Sequence, residues 1–211
     1  MAAALTNKEM NMRRWIGFPP LAIALVGSLA FAADGSPFSH RGELVRPADY
    51  RSWVFVTSGL GMNYGPSKPK AADPPQFTNV FVNPQAYRGF MQSGVWPEGT
   101  VFILEVRKAE QEVSVDNNGR TQGAVVALEA AAKDSSRYPD GGWAYFSFDS
   151  NQGLRPSAAP LPRTANCYAC HSQNAAVEWT FTQFYPEQMA VAKAHGTVRR
   201  DYDPARKVAS E

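Results

Sequence analysis

Hydrophobic positions along this chain change their spacing several times, and each change marks an element. Residues 21–31 (LAIALVGSLAF) form a continuous apolar run behind a stretch holding Lys8, Arg13 and Arg14, and Ala30-Phe31-Ala32 follows the small-x-small pattern of a cleavage site. Residues 1–32 are therefore expected to be an export signal cleaved near Ala32. An uncleaved anchor is the alternative, but the run falls short of the roughly 20 residues a span needs, and Pro19-Pro20 weakens its start. Arg13-Arg14 has flanks that fit a twin-arginine signal poorly.

Beyond the signal, residues 50–57 (YRSWVFVT), 77–82 (FTNVFV), 100–106 (TVFILEV) and 143–148 (WAYFSF) are rich in β-branched and aromatic side chains and predict strands. In the third, only Glu105 breaks an apolar run, the mark of a strand buried on both faces. Asn83-Pro84 ends the second strand, and Pro84 suits the first turn of a short helix through Met91. Turns are expected at 95–99 (VWPEG) and, as a hairpin-type turn, at 116–119 (DNNG). Residues 65–76 (GPSKPKAADPPQ) read as a long surface loop, and 123–131 (GAVVALEAA) fits a strand or a helix. The pattern turns helical around 166–174, and the last fifteen residues are polar and expected to be loose. Residues 33–211 are thus expected to form one α+β domain, mainly antiparallel β-sheet with a few helices, and with a helix near the C-terminus.

Composition narrows the class. The 211 residues are 44% hydrophobic and 19% charged, which argues against wholesale disorder, and 16 glycines with 16 prolines disfavour a helical bundle. A net charge of +2 leaves no nucleic-acid footprint. Removing the signal makes the mature chain formally neutral and leaves no stable membrane span.

The two cysteines are Cys167 and Cys170, and with His171 they complete a C-x-x-C-H motif. Two thiols three positions apart on a helical turn can each add to one vinyl group of a haem, while the adjacent histidine reaches the iron. The motif therefore predicts one covalently bound haem c, with His171 as metal ligand, in a protein matured outside the cytoplasm, in the periplasm. A thioredoxin-like motif would want a βαβ setting. A structural zinc would need a fourth ligand, and the other histidines, His40 and His195, are distant in sequence and expected at the surface. A simple disulfide leaves His171 unexplained. The motif comes too late in the chain for a small electron-transfer cytochrome, and the strands exclude a cytochrome c′ four-helix bundle.

The order YRSWVFV, FTNVFVNPQAYRGF, WPEGTVFILEV, ALEAAAKDSSRYPDGGWAYFSF and CYACHSQNAAVEWTFTQFYP resembles cytochrome P-460 and its relative cytochrome c′-beta, from about Glu43 to Pro186. The resemblance implies a mainly antiparallel β fold, a homodimer, and a five-coordinate haem with one open face. In cytochrome P-460, a hydroxylamine-oxidising enzyme, a lysine on the strand after the G-T turn is cross-linked to the porphyrin. Counted from Gly99-Thr100, that position falls on Leu104, which cannot form the link. Lys108 lies four residues on, about 13 Å along an extended strand. The branch without the cross-link implies an apolar pocket that takes nitric oxide or carbon monoxide.

Leu104, Phe102 and Phe77 are the candidates for that apolar wall, with core packing the alternative for the two phenylalanines. Trp53, Trp143 and Tyr145 are expected in the core, and Arg88 and Arg107 at the surface rather than on a haem propionate. The favoured function is capture of a small gaseous or nitrogen-oxide ligand, with a periplasmic redox partner as a further expectation. The alternative is a hydroxylamine-oxidising or peroxidase-like enzyme, which would want a distal base. No histidine suits that role, and Glu105 alternates away from Leu104. A third reading, plain electron transfer, would use Met62, Met91 or Met189 as sixth ligand.

Overall fold

Strands that follow one another along the chain also pair with one another. The computed structural model describes residues 36–62 and 74–205. The expected export signal, and all but the last three residues of the expected loop at 65–76, lie outside the described residues. In chain order the elements are β1 (Leu44–Val45), β2 (Val54–Leu60), β3 (Gln76–Val82), α1 (Pro84–Ser93), β4 (Val101–Glu110), β5 (Thr121–Lys133), β6 (Trp143–Ser147), β7 (Ser157–Ala158), α2 (Asn166–Asn174) and α3 (Pro186–His195). The main sheet runs β2-β3-β4-β5-β6, all antiparallel, and β1 pairs with β7 in a two-stranded sheet. The domain is α+β and mainly antiparallel, as its patterning implies. Among the described residues no helix is long and apolar enough to cross a membrane.

Local chemistry accounts for most element boundaries. Pro84 starts α1 and Gly94 ends it in the left-handed conformation (φ 70°). The strand expected at 50–57 begins later, because Tyr50–Ser52 form a 3-10 turn closed by Ser52 N and Trp53 N donating to Asp49 O and Tyr50 O. The ambiguous 123–131 segment is strand, because β4 and β6 flank it on both sides and pairing overrides a weak local preference. Helix α3 lies in a stretch with no expected element, although Pro186 at its start and Gly196 after its end are readable signals. The C-terminal stretch is not loose at its beginning: Thr197 Oγ1 donates to Gly94 O at 2.6 Å, and Arg199 bonds Ser172 O.

Alternation gives the sheet two covered faces. On one side Val101 and Ile103 pack with Leu128, Phe146, Phe148 and Leu44. On the other side Phe102, Val82, Trp143 and Tyr145 pack beneath the helices. Here Trp96 is fully buried, stacked on Phe90 with ring centroids 4.0 Å apart and edge-on to Phe102 at 4.7 Å. It ties α1 to the sheet beside the cavity described next.

Candidate functional site

Nine residues make α2, and its i, i+3, i+4 spacing places Cys167, Cys170 and His171 on one face. Tyr168 turns the other way, buried, with its hydroxyl donating to Leu161 O at 3.1 Å. Asn174 Nδ2 donates to Cys170 O at 3.0 Å and holds the helix end. The two cysteines and His171 line a cavity of about 790 Å³. Across it stands the sheet, presenting Val80, Phe102, Leu104 and Ala131.

His171 Nδ1 lies 2.8 Å from the carbonyl oxygen of Trp179. A carbonyl can only accept, so Nδ1 carries the proton and Nε2 holds the lone pair. Burial lowers the pKa of this histidine to about 4, against a raising effect of the bond to Trp179, so the ring is neutral near pH 7. Tyr145 and Phe181 flank it, each with its ring centroid 4.3 Å away. Burial pushes both thiols up, aided at Cys167 by the charge of Glu129 and opposed at Cys170 by a hydrogen bond from Asn174. The two cysteines are not paired with each other in a disulfide.

Of the expected wall residues, Leu104 and Phe102 line this cavity and Phe77 does not. Phe77 pairs with Arg107 and alternates with Thr78 and Val80, the two β3 residues that do line it. One residue of offset along a strand reverses the face. Tyr145, expected in the core, is nearly buried and also borders the cavity, whereas Trp143 is fully buried. Met62 lies in the lining, whereas Met91 meets Gln188 Nε2 at 3.9 Å and Met189 sits on α3 outside the lining. His40, His195 and Arg88 are exposed, and Arg107 is bound to Glu105 and Gly123 O.

Sequence reasoning missed Glu129. It is the cross-strand partner of Leu104 and the only carboxylate among the described residues lining the cavity. Its surface is exposed where it opens to the cavity, yet enough protein lies around it to penalise its charge. Burial, and secondarily the charge of Asp149, raises its pKa above the ordinary carboxylate value. Had 123–131 been readable as a strand in register with β4, position 129 would have followed from Leu104.

The residues fit a haem. A mostly apolar cavity of cofactor size, two thiols, and a neutral histidine with its Nε2 lone pair available are the donor set such a group needs. Among the described residues no group of three or more His, Cys, Asp and Glu side chains is placed to hold a separate metal ion. The fold and site define an α+β protein, mainly antiparallel sheet, with a cavity whose lining suits a haem. The family model for Cytochrome P460 matches residues 47–182, and the chain belongs to that family, which implies a haem cofactor. No curated protein matches the chain.

Proposed function

We propose that this is an exported c-type haem protein of the periplasm, with one haem tethered through Cys167 and Cys170 and ligated by His171, that captures nitric oxide or carbon monoxide on its open face. Bound haem supplies an iron centre that takes small diatomic ligands. The observation that carries the reading is Leu104 in the cavity wall, at the position where the cross-linking lysine of cytochrome P-460 is expected. Lys108 pairs with Gln76 near the end of the strand, and Lys133 is bonded to Glu178 and Trp96 O. Leu104, Val80 and Phe102 offer no hydrogen-bond donor to polarised dioxygen, whereas nitric oxide and carbon monoxide depend little on one. The apolar run at residues 21–31 supports export, and the family resemblance supports a homodimer.

Intact mass tests the attachment: the mature chain from Ala33 plus one haem, with a single haem peptide spanning residues 167–171. Replacing both cysteines by Ala should let acidified solvent extract the haem. A second haem-bound peptide carrying Lys108 would overturn the reading.

Glu129 favours a second reading, an enzyme that oxidises hydroxylamine or uses peroxide. A carboxylate of raised pKa beside the open face can accept a proton from a bound substrate. Glu129→Gln decides between them. Gas capture leaves nitric oxide binding within about twofold of native, with little hydroxylamine turnover in either protein. An enzyme instead shows brisk native turnover that falls roughly 100-fold or more in the variant.

A further inference from the structure

The carbonyl oxygen of Trp179 accepts two hydrogen bonds, one from His171 Nδ1 at 2.8 Å and one from the Tyr145 hydroxyl at 3.0 Å. We propose that Tyr145 is a positioning residue that tunes His171 by sharing its acceptor, and so sets how strongly this histidine donates to the haem iron. The inference rests on His171 being the iron ligand.

A histidine whose N–H is held by a strong acceptor gains imidazolate character and becomes a stronger donor at its other nitrogen. The carbonyl of Trp179 has two lone pairs, and each donor that engages it withdraws electron density from the same oxygen. The Tyr145 hydroxyl therefore weakens the pull on the His171 proton and leaves the ring closer to neutral imidazole. Tyr145 is 4% exposed, so its hydroxyl is held inside the protein beside the carbonyl it meets.

The shared carbonyl is fixed from both sides. Glu178, just before it, has φ of 49°, a left-handed conformation that glutamate rarely adopts. Its carboxylate is held there by Lys133 Nζ at 2.7 Å and Trp143 Nε1 at 3.2 Å. The Trp179 ring packs on Gly141, where a Cβ would come within 2.4 Å of it, and the Arg163 guanidinium lies 5.5 Å from the ring centroid. Thr180 N donates back to Val177 O at 2.9 Å and closes the turn. With its backbone so pinned, the carbonyl stays on His171 when Tyr145 is altered.

Tyr145→Phe in the haem-loaded protein keeps the ring beside His171 and removes only the hydroxyl. Haem content should be unchanged, and the iron–histidine stretch of the ferrous protein in resonance Raman should move to higher frequency. The reduction equilibrium should shift roughly fivefold toward the ferric form, the equivalent of one ordinary hydrogen bond. A site-specifically incorporated fluorinated tyrosine at position 145, a stronger donor of nearly the same shape, should move both readings the opposite way. A hydroxyl that only supports the fold would lower the melting temperature in Tyr145→Phe and leave stretch and potential in place, and that result overturns the inference. A native ferrous protein with no iron–histidine stretch would instead mean that His171 is not the ligand, and the haem-site reading itself would fall.

Discussion

Leu104 and Glu105 are neighbours that serve opposite faces of the sheet. Leu104 looks into the cavity, while Glu105, 2% exposed, receives Arg51 Nη2 at 2.6 Å, Arg107 Nε at 2.6 Å, the Tyr50 hydroxyl and Asn79 Nδ2 at 3.3 Å. Burial by itself would raise the pKa of this carboxyl. The hydrogen bonds from Arg107, Tyr50, Arg51 and Asn79 outweigh it and bring the pKa down to about 2. A depressed carboxylate pKa contributes stability that is complete above the ordinary value of 4.5 and is lost as pH falls toward 2. The expected contribution is about 3 kcal/mol, since each tenfold change in proton affinity is worth about 1.4 kcal/mol. Glu105→Gln should lower unfolding stability by about that amount at pH 7, measured by urea denaturation. It should also flatten the loss of stability between pH 4.5 and 2. A variant as acid-sensitive as the native protein would show that other carboxylates carry the acid transition. Tyr50 answers in the opposite sense, its phenol pushed up to about 12 first by burial and then by its bond to Glu105.

What the sequence could show of these elements depended on how locally each is determined. The C-x-x-C-H motif was legible because its geometry is set within one helical turn, and α2 puts all three groups on one face without help from the rest of the chain. Leu104 was legible because the family register, counted from Gly99-Thr100, reaches it on a strand read as apolar apart from Glu105. Phe77 and Glu129 were not, because the face each takes depends on its register against β4, which long-range pairing sets. Nor was the link between β5 and the turn after α2, where Lys133 ends one and Glu178 shapes the other. Lys133 is 12% exposed at its side chain and also bonds Trp96 O at 2.6 Å, so its removal strands a partly buried carboxylate. Lys133→Met keeps the aliphatic stem and takes away only the charge. It should cost about 2 kcal/mol, read as a melting temperature lower by roughly 4–8 °C. An unchanged melting temperature would mean that Trp143 alone suffices to hold Glu178.

At the scale of the whole molecule, one sheet separates two cores of unequal self-sufficiency. The core holding Leu44, Ile103, Leu128 and Phe148 is made of buried side chains that do not line the cavity. The opposite core contributes Phe102, Tyr145 and Tyr168 to a region that surrounds the 790 Å³ cavity, so much of its packing waits on the group that fills it. Lining atoms that face a cavity of this size lack the contacts a filled interior supplies. Stability should therefore be uneven in a haem-free protein made by replacing Cys167 and Cys170 with Ala and extracting the haem. Hydrogen exchange should speed up at α2 and across residues 175–185, the segment that carries Trp179, the His171 acceptor, and the flanking Phe181. The amides of β4 and β5 around Ile103 and Leu128 should stay protected, because these side chains are buried in the core away from the cavity. Loss of protection spread evenly over all five strands would show instead that the two cores fold as one unit and that the haem supports the entire sheet.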